Sequence, residues 1–441
     1  MKKINTIIFV FLLSSVFLFS GCDDHIDFSE ESEISVSNVT ESSDTKIIYE
    51  VSKEIPWDTR EESIERINDY DTKYFIPKLD DNRLRYFAHI YSKVKEFSDD
   101  INFGTEIKSS DLDIMMYLLN YDCPELIQIS GDYIPKYADE EQKYVTGVRL
   151  SYIMEKDAYK NAFHLIDQFM SNLKTAVSDK GEAEIERYVY DSLFENTVYD
   201  ETDTYSGSIY GALINHKARC EGLCKSFMYC MRNFNIECLC VSGTPLWDSE
   251  SVYTKHSWNI VKINGQYYHI DITADNIKTS PDDKNPPTYG YYNVSDQFIS
   301  NTHQIDKVYI DIGLPECNDD EGSYHKVNGL YISETENLKT TVMNMMSEHF
   351  IDGIIDNVSI KFESKENYDS FVENMETYIK EFLLANTSVS YRYSTYSNEP
   401  SQTVIIYIGP SEQSSNADST VSDGIDDADN ADNTDNEDNA I

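Results

Sequence analysis

The central part of this sequence predicts an α+β fold, in which one helix is followed by an antiparallel sheet. Apolar side chains with helical spacing begin after residue 220 and define one face of the helix: Leu223, Phe227, Met231 and Phe234. Three strand-like runs come next, at residues 236–242, 256–263 and 266–273. Asn264-Gly265 separates the last two runs, and this dipeptide is typical of a tight β-hairpin.

Two further units flank this central domain, which we place at residues 181–330. Residues 66–180 predict a mainly helical unit with one hairpin, from these patterns: helices at 81–97, 111–120 and 158–176, and the hairpin at 131–149. Residues 331–410 predict a small α/β domain, because strand-like alternation at 358–362 precedes a helical stripe from Tyr368 to Phe382.

The N-terminus predicts export and anchoring to a membrane. Lys2 and Lys3 precede an apolar run that is too short to span a bilayer, and Ser20-Gly21-Cys22 follows it. This segment resembles the lipobox of bacterial lipoproteins, so residues 1–22 are interpreted as a lipoprotein signal peptide with Cys22 as the lipidated residue. An ordinary cleaved signal is the alternative. The lipid reading predicts a protein held at the cell membrane and facing outward, since each buried methylene of an acyl chain contributes about 0.8 kcal/mol.

The charge distribution excludes one class of partner. The formal net charge of −43 would repel the phosphates of a nucleic acid, so none is expected as a ligand. Residues 23–45 and 411–441 contain no Lys or Arg and are rich in acidic residues. Such tracts bury too little surface to fold, so we expect a disordered tether and lead-in at 23–65 and a disordered acidic tail at 411–441. Loose binding of divalent cations is one interpretation of the acidic tail, and a plain solvated tail is the simpler one.

The cysteines indicate local chemistry rather than a disulfide framework. Of the eight, Cys22 is assigned to lipid, and five of the others fall within residues 220–240. A metal or redox site would use Cys220, Cys224, Cys238, Cys240 and His256. The spacing of Cys238 and Cys240 is too tight for a usual zinc pair, so no metal or other cofactor is predicted. Cys230, Cys238 and Cys240 are expected in the core.

Cys220 is the candidate nucleophile because it stands where the helix begins. The free N–H groups and the helix dipole at that end favour a thiolate and offer donors for an oxyanion. Gly222, just inside the helix, would let a substrate or another backbone approach closely. The alternative is a buried cysteine that only fills the core.

The hairpin supplies a base and a carboxylate. If Asn264 and Gly265 form the turn, Ile263 is opposite Gln266 and Trp258 is opposite Asp271. His256 and Asp271 then share a face as diagonal neighbours, about 7–8 Å apart at the backbone. His256 would move the proton, and Asp271 would orient the imidazole. His269 is a rival base on the same predicted face, opposite Ile260, and ranks second.

Four strings in residues 185–275 resemble the transglutaminase-like superfamily, especially its exported bacterial members: Tyr210-Gly211-Ala212-Leu213, Lys217 to Gly222, His256-Ser257-Trp258-Asn259, and Tyr267 to Thr273. The resemblance implies a papain-like α+β core with Cys220 as nucleophile, His256 as base and Asp271 as orienting carboxylate. It also implies that Tyr210 and Gly211 line the site, together with Gly222 and Trp258. The sequence departs from the family pattern at Ala274 and Cys224.

The residues and the resemblance together predict thiol-mediated acyl transfer on peptide or glutamine amides. The substrate is expected to be a peptide or protein in the cell envelope. Hydrolysis or deamidation is favoured over cross-linking, because water competes with amines unless a tunnel or lid shields the site. The alternative is a catalytically silent binding module at the cell surface.

Overall fold

The computed structural model describes residues 59–246, 255–275, 277–333, 337–388, 390–411 and 439–440. The predicted signal peptide with Cys22, nearly all of the tether and most of the acidic tail lie outside these ranges. Within them, no helix combines the length and apolar character needed to cross a membrane.

Eleven helices are found in the described residues: α1 (Arg60–Glu65), α2 (Asp81–Glu96), α3 (Ser109–Tyr121), α4 (Lys156–Ala176), α5 (Glu182–Asn196), α6 (Cys220–Asn233), α7 (Asp296–Ile299), α8 (Val308–Ile312), α9 (Tyr324–Val327), α10 (Leu338–His349) and α11 (Lys365–Asn386). Short 3₁₀ turns lie at Tyr70–Thr72 and Ile76–Lys78, and a π-helical turn spans Gly211–Asn215.

The described strands are β1 (Asp100–Lys108), β2 (Ile129–Tyr137), β3 (Tyr144–Tyr152), β4 (Val198–Tyr199), β5 (Lys217–Ala218), β6 (Cys238–Pro245), β7 (His256–Ile263), β8 (Gln266–Ile270), β9 (His303–Ile305), β10 (Tyr331–Ile332), β11 (Ile355–Phe362), β12 (Tyr391–Asn398), β13 (Thr403–Pro410) and β14 (Asn439–Ala440). They form sheets with the orders β1-β3-β2, β4-β5, β8-β7-β6-β9 and β10-β11-β13-β12-β14. The fold is therefore α+β, as predicted.

The N-terminal unit is less helical than expected. Its hairpin is present as β2 and β3, but β1 joins them to form a three-stranded antiparallel sheet. Ile101 and Phe103 alternate inward along β1, as strand residues do. The alternation then breaks, because the register with β3 shifts between Asn102 and Ile107. That irregularity hid the strand from a search for simple periodicity.

The central four-stranded sheet is covered on both faces. Val261 and Ile263 of β7 pack into a core shared with α4, α5 and α6. Trp258 and Ile260 of the same strand pack into a second core, which is shared with α2, α3 and β1. The N-terminal unit therefore closes one face of the sheet, and the hydrophobic core does not divide at residue 180.

The β7–β8 hairpin has the predicted register. Ile263 pairs with Gln266, and the ladder continues to Asn259 and Ile270. Asn264 and Gly265 have φ angles of 52° and 88°, the positive values that a type I′ turn requires. β8 ends at Ile270, so Asp271 follows directly after the last paired residue.

Polar contacts of α3 join the N-terminal unit to α6. The Asn120 side chain donates to Glu221 Oε1 at 2.8 Å and accepts from Lys225 Nζ at 2.8 Å. Arg232 Nη2 donates to Asp122 Oδ1 at 2.6 Å, in a fully buried ion pair. Because removing one partner would leave a buried charge unpaired, these contacts fix how the two units fit together.

The C-terminal domain has its own core, formed by α10, α11 and one face of its sheet. It meets the central domain along the loop at residues 286–291. Ser359 Oγ donates to Thr288 O at 2.6 Å, and Lys361 Nζ donates to Gly290 O at 2.6 Å. Burial lowers the pKa of Lys361 to about 7, because a charged ammonium is poorly solvated there.

We predict that Lys361→Met removes a pH dependence of stability. In the folded state the pKa of Lys361 is about 7, whereas in the unfolded chain it is near its ordinary value. Between these values the unfolded chain binds more protons, so this residue makes stability rise as pH increases from about 7 toward 10. Urea unfolding across this range should show the wild type gaining stability relative to the variant.

The exposed Lys284 provides a matched control, since Lys284→Met removes the same charge from a solvated position. A difference between Lys361→Met and wild type that stays constant with pH would contradict the prediction.

Candidate active site

Cys220 is the first residue of α6, as the sequence suggested. The preceding residue, Arg219, has the extended backbone of an N-cap (φ −88°, ψ 176°), and no side chain caps the helix within the described structure. Leu223 N–H donates to Arg219 O at 3.1 Å, which closes the first turn. The earlier N–H groups of that turn have no helical partner, so they are available to an anion beside the Cys220 sulfur.

Gly222 sets how closely the start of α6 approaches a neighbouring loop. A Cβ atom at this position would lie 2.0 Å from Ser206 O, which is far inside contact distance. Arg219 N–H also donates to Ser206 O, at 3.1 Å. The space beside Gly222 is thus filled by the backbone of Ser206. Nothing here supports the prediction that Gly222 contacts the substrate.

Gly211 and Tyr210 lie near the same loop. A Cβ on Gly211 would lie 2.3 Å from Tyr205 O and 2.8 Å from Lys217 O, so this glycine too permits close packing of the chain on itself. Tyr210 is half-buried and contacts the Tyr205 ring edge-on, with 5.4 Å between centroids. Gly211 is buried, whereas Tyr210 remains partly exposed.

Glu221, next to the candidate nucleophile, is a buried carboxylate that sequence reasoning missed. Its Oε2 accepts from Arg219 Nη2 at 2.6 Å, and its Oε1 accepts from Lys225 Nζ at 2.5 Å. Burial alone would raise the pKa of Glu221, but the charges of Lys225 and Arg219 lower it to about 2. The paired carboxylate leaves the helix N–H groups free. The acidic residue one turn before Lys225 was the available signal.

The structure brings Cys220, His256 and Asp271 together. His256 begins β7, and its Nε2 lies 2.5 Å from Asp271 Oδ2. Cys220 lies near enough to the same imidazole to contribute to raising its pKa. Since Nε2 faces the carboxylate, Nδ1 is the nitrogen left for the sulfur. All three residues are buried, and Cys220 is the most accessible at 9%.

His256 and Asp271 each stabilise the charged form of the other. Burial alone would lower the pKa of His256, but the charge and hydrogen bond of Asp271, with a further contribution from Cys220, raise it to about 10. Burial alone would raise the pKa of Asp271, but His256 and then His303 lower it well below its usual value. At neutral pH the geometry therefore holds an imidazolium beside the Asp271 carboxylate, next to Cys220.

His303 was not predicted as part of this site. Its Nε2 donates to Asp271 Oδ2 at 3.1 Å, the oxygen that also receives His256. The other oxygen, Oδ1, accepts from Ala274 N–H at 3.0 Å. His303 lies on the three-residue strand β9, which is too short to produce a periodic signal.

Trp258 and His269 lie behind the site. Trp258, predicted to contact substrate, is 1% exposed. Its Nε1 donates to His269 Nδ1 at 3.0 Å, and His269 Nε2 donates to Asp296 Oδ1 at 2.8 Å. Both ring nitrogens of His269 are thus engaged, which removes it as an alternative base. The N-terminal unit covers this face of the sheet, which no pattern in the sequence indicates.

Two groups in the described part of the chain are close enough to share a metal ion: His256 with Asp271 and His303, and His269 with Asp296 and Cys317. In the first group, both imidazoles already donate protons to Asp271, and a metal would have to displace them. In the second, Trp258 donates to Nδ1 of His269, so the proton of that ring sits on Nε2, where a metal would bind. Neither arrangement favours a metal ligand set.

Cys224, Cys238 and Cys240 are not part of either group. All seven cysteines of the described residues are buried free thiols. Cys224 Sγ donates to Trp258 O at 3.0 Å, and burial raises the pKa of the Cys224 and Cys238 thiols well above the ordinary value. These thiols are core residues.

A helix that begins at a cysteine and packs on an antiparallel sheet carrying a histidine and an aspartate defines an α+β thiol site. Comparison with models of protein families matches residues 168–272 to the transglutaminase-like superfamily. No curated protein matches the chain. A solved structure described as "Crystal structure of a TGase" is similar at 14% identity over 41% of this chain and 51% of that chain, with a TM-score of 0.24.

That similarity spans about half of the other chain. The family match stands independently. Residues 168–272 belong to the transglutaminase-like superfamily, and they include Cys220, His256 and Asp271.

We predict that Gly222→Ala destabilises the protein and slows the reaction of Cys220 with iodoacetamide. The new methyl group would collide with Ser206 O, and relieving such overpacking typically costs about 1–3 kcal/mol. Urea unfolding and the alkylation rate measure the two effects. Helix propensity alone predicts the opposite sign, a gain of about 1 kcal/mol for Ala over Gly. A stabilised variant with normal Cys220 reactivity would therefore refute the packing argument.

Proposed function

We propose that this protein is a cysteine-dependent enzyme that transfers the acyl group of a peptide or glutamine amide through a thioester on Cys220. One observation carries the proposal: the cysteine at an uncapped helix start lies beside His256, and Nε2 of that imidazole pairs with the buried Asp271. The membership of residues 168–272 in the transglutaminase-like superfamily supports this class of chemistry.

In the proposed reaction, the Cys220 thiolate attacks the amide carbonyl carbon and forms a C–S bond. The carbonyl oxygen becomes an oxyanion, which the free N–H groups of the first turn of α6 stabilise. His256 Nδ1 then gives its proton to the leaving nitrogen as the C–N bond breaks, so ammonia leaves from glutamine or an amine from a peptide bond. Asp271 keeps the imidazole oriented through both steps.

The thioester is then resolved by water or by an amine, with His256 taking the proton of the attacking group. Attack by water gives peptide hydrolysis or deamidation, and attack by an amine gives a cross-link. We favour water, because it is in large excess over amines.

We further propose that the substrate is a peptide or protein of the cell envelope. In this proposal the chain is exported and held at the outer side of the cell membrane by lipid on Cys22, with the acidic segment after it as a tether. The signal-like N-terminus and the acidic composition support this arrangement, and a charge of −43 argues against nucleic acid as a partner.

Selective labelling tests whether the site is chemically competent. In the wild type, iodoacetamide near neutral pH should modify Cys220 faster than the six other described cysteines, and His256→Asn should slow that modification at least tenfold. Asparagine keeps a polar side chain at this position but lacks the imidazole, so the comparison tests the contribution of the ring. Peptide mass mapping identifies the labelled residue. Uniformly slow labelling in both proteins would favour the silent binding module instead.

Turnover is tested with a glutamine-containing peptide and a labelled amine. A mass gain of the amine indicates cross-linking, conversion of Gln to Glu indicates deamidation, and shorter peptides indicate cleavage. Cys220→Ser should abolish whichever activity is found, while Cys317→Ser, a substitution outside the proposed machinery, should retain it. Equal activity in Cys220→Ser and wild type would rule out the thioester route.

Anchoring has its own test. Cys22→Ala should prevent lipid attachment and move the protein from the detergent phase to the aqueous phase on Triton X-114 partitioning, because acyl chains provide the membrane affinity. Wild-type protein that already partitions into water would contradict the anchor.

A further inference from the structure

We propose that His303 is a positioning residue. Its hydrogen bond to Asp271 orients that carboxylate and limits how strongly the carboxylate holds the proton of His256. The inference rests on the proposed function and deepens it, by adding a second imidazole to the predicted trio of side chains. His303 donates to Asp271 Oδ2, so its proposed action passes through Asp271.

The geometry gives His303 little freedom. Its side chain is fully buried, and the ring packs on Trp258 with 4.7 Å between centroids. Tyr291 meets it edge-on at 5.5 Å. Nδ1 lies 2.9 Å from Thr302 Oγ1, and Nε2 lies 3.1 Å from Asp271 Oδ2. Both ring nitrogens are therefore held by fixed partners.

The protonation states follow from these contacts. Asp271 is charged, because its two imidazole neighbours stabilise the carboxylate, and a carboxylate only accepts hydrogen bonds. Nε2 of His303 must then carry a proton. Burial lowers the pKa of His303, and the charge of His256 lowers it further. His303 is thus a neutral imidazole that donates from Nε2, while Thr302 Oγ1 faces the remaining lone pair.

Asp271 Oδ2 consequently serves two donors, His256 and His303. Each donor stabilises the charged carboxylate and lowers its affinity for a proton. When His303 is removed, Asp271 attracts the His256 proton more strongly, and one direction of the carboxylate is no longer fixed. His256 would then give its proton to a leaving amine less readily, and its ring would be less well placed relative to Cys220.

The titration of His256 also responds to the other charged groups packed around it. Cys220 faces it from α6, Asp271 from the end of β8, and His303 from β9. Asp275 and His269 act from farther away, on Asp271 and His303 respectively. A variant at residue 303 leaves all of these groups except His303 in place.

The experiment compares His303→Leu with His303→Gln in the full chain. Leucine removes the donor while keeping a side chain of similar size, whereas the amide of glutamine retains an N–H that reaches toward Asp271. NMR of ¹³C,¹⁵N-histidine-labelled protein gives the pKa of His256 in each. We expect a rise in His303→Leu and a value closer to wild type in His303→Gln.

With the glutamine peptide as substrate, kcat should fall about tenfold to a hundredfold in His303→Leu with little change in KM, as is typical when a reacting group is misplaced without loss of binding. His303→Gln should recover part of this loss. A merely structural role would lower both variants through unfolding and would leave the His256 titration of the folded fraction unchanged.

Thr302→Val provides a second variant if His303→Leu does not fold. It removes the hydroxyl opposite Nδ1 and should shift the His256 titration in the same direction by a smaller amount. An unchanged His256 titration in every folded variant overturns the proposal. If the wild type neither turns over peptide nor shows selective Cys220 labelling, the proposed function fails, and the titration still decides the role of His303 separately.

Discussion

The buried negative charge of Asp271 is the constraint on which the site depends. A carboxylate can remain ionised in a protein interior only if donors replace the water it has lost. Asp271 receives His256, His303 and the N–H of Ala274, and its own N–H donates to Tyr291 O at 3.1 Å. These partners come from β7, β9 and two loops. Satisfying this charge therefore requires three separate parts of the chain to converge, and a fourth part fixes the backbone of Asp271.

The sulfur is positioned by a different set of constraints. The start of α6 is fixed by backbone contact between Gly222 and Ser206, and by the ion pairs that Glu221 makes with Arg219 and Lys225. Asn120 of the N-terminal unit completes this network, so α6 is held from outside the central domain as well. The N-terminal unit is thus part of the support of the site, because it holds the helix and covers the opposite face of the sheet.

The parts of this arrangement that sequence predicts are those set by local rules. A two-residue turn fixes the register of β7 and β8, and strand periodicity then places His256 and Asp271 on one face. His303 could not be predicted in this way, because β9 reaches the site by pairing with β6. The partner of His303 in that pairing, Pro245, is far from it in sequence. The burial of Trp258 is hidden for a related reason: periodicity gives the face of a strand, but not which face another unit covers.

The loop at residues 286–291 links the site to the C-terminal domain. On one side, Asp275 accepts from Thr288 Oγ1 and Tyr291 N–H, and Tyr291 in turn supports the backbone of Asp271. On the other side, Ser359 and Lys361 donate to Thr288 O and Gly290 O. Since the same short loop serves both contacts, a displacement of the C-terminal domain would be transmitted to the backbone that carries Asp271. Docking of the C-terminal domain and the position of the Asp271 carboxylate therefore depend on the same loop, and the buried Lys361 is one of the groups that hold it.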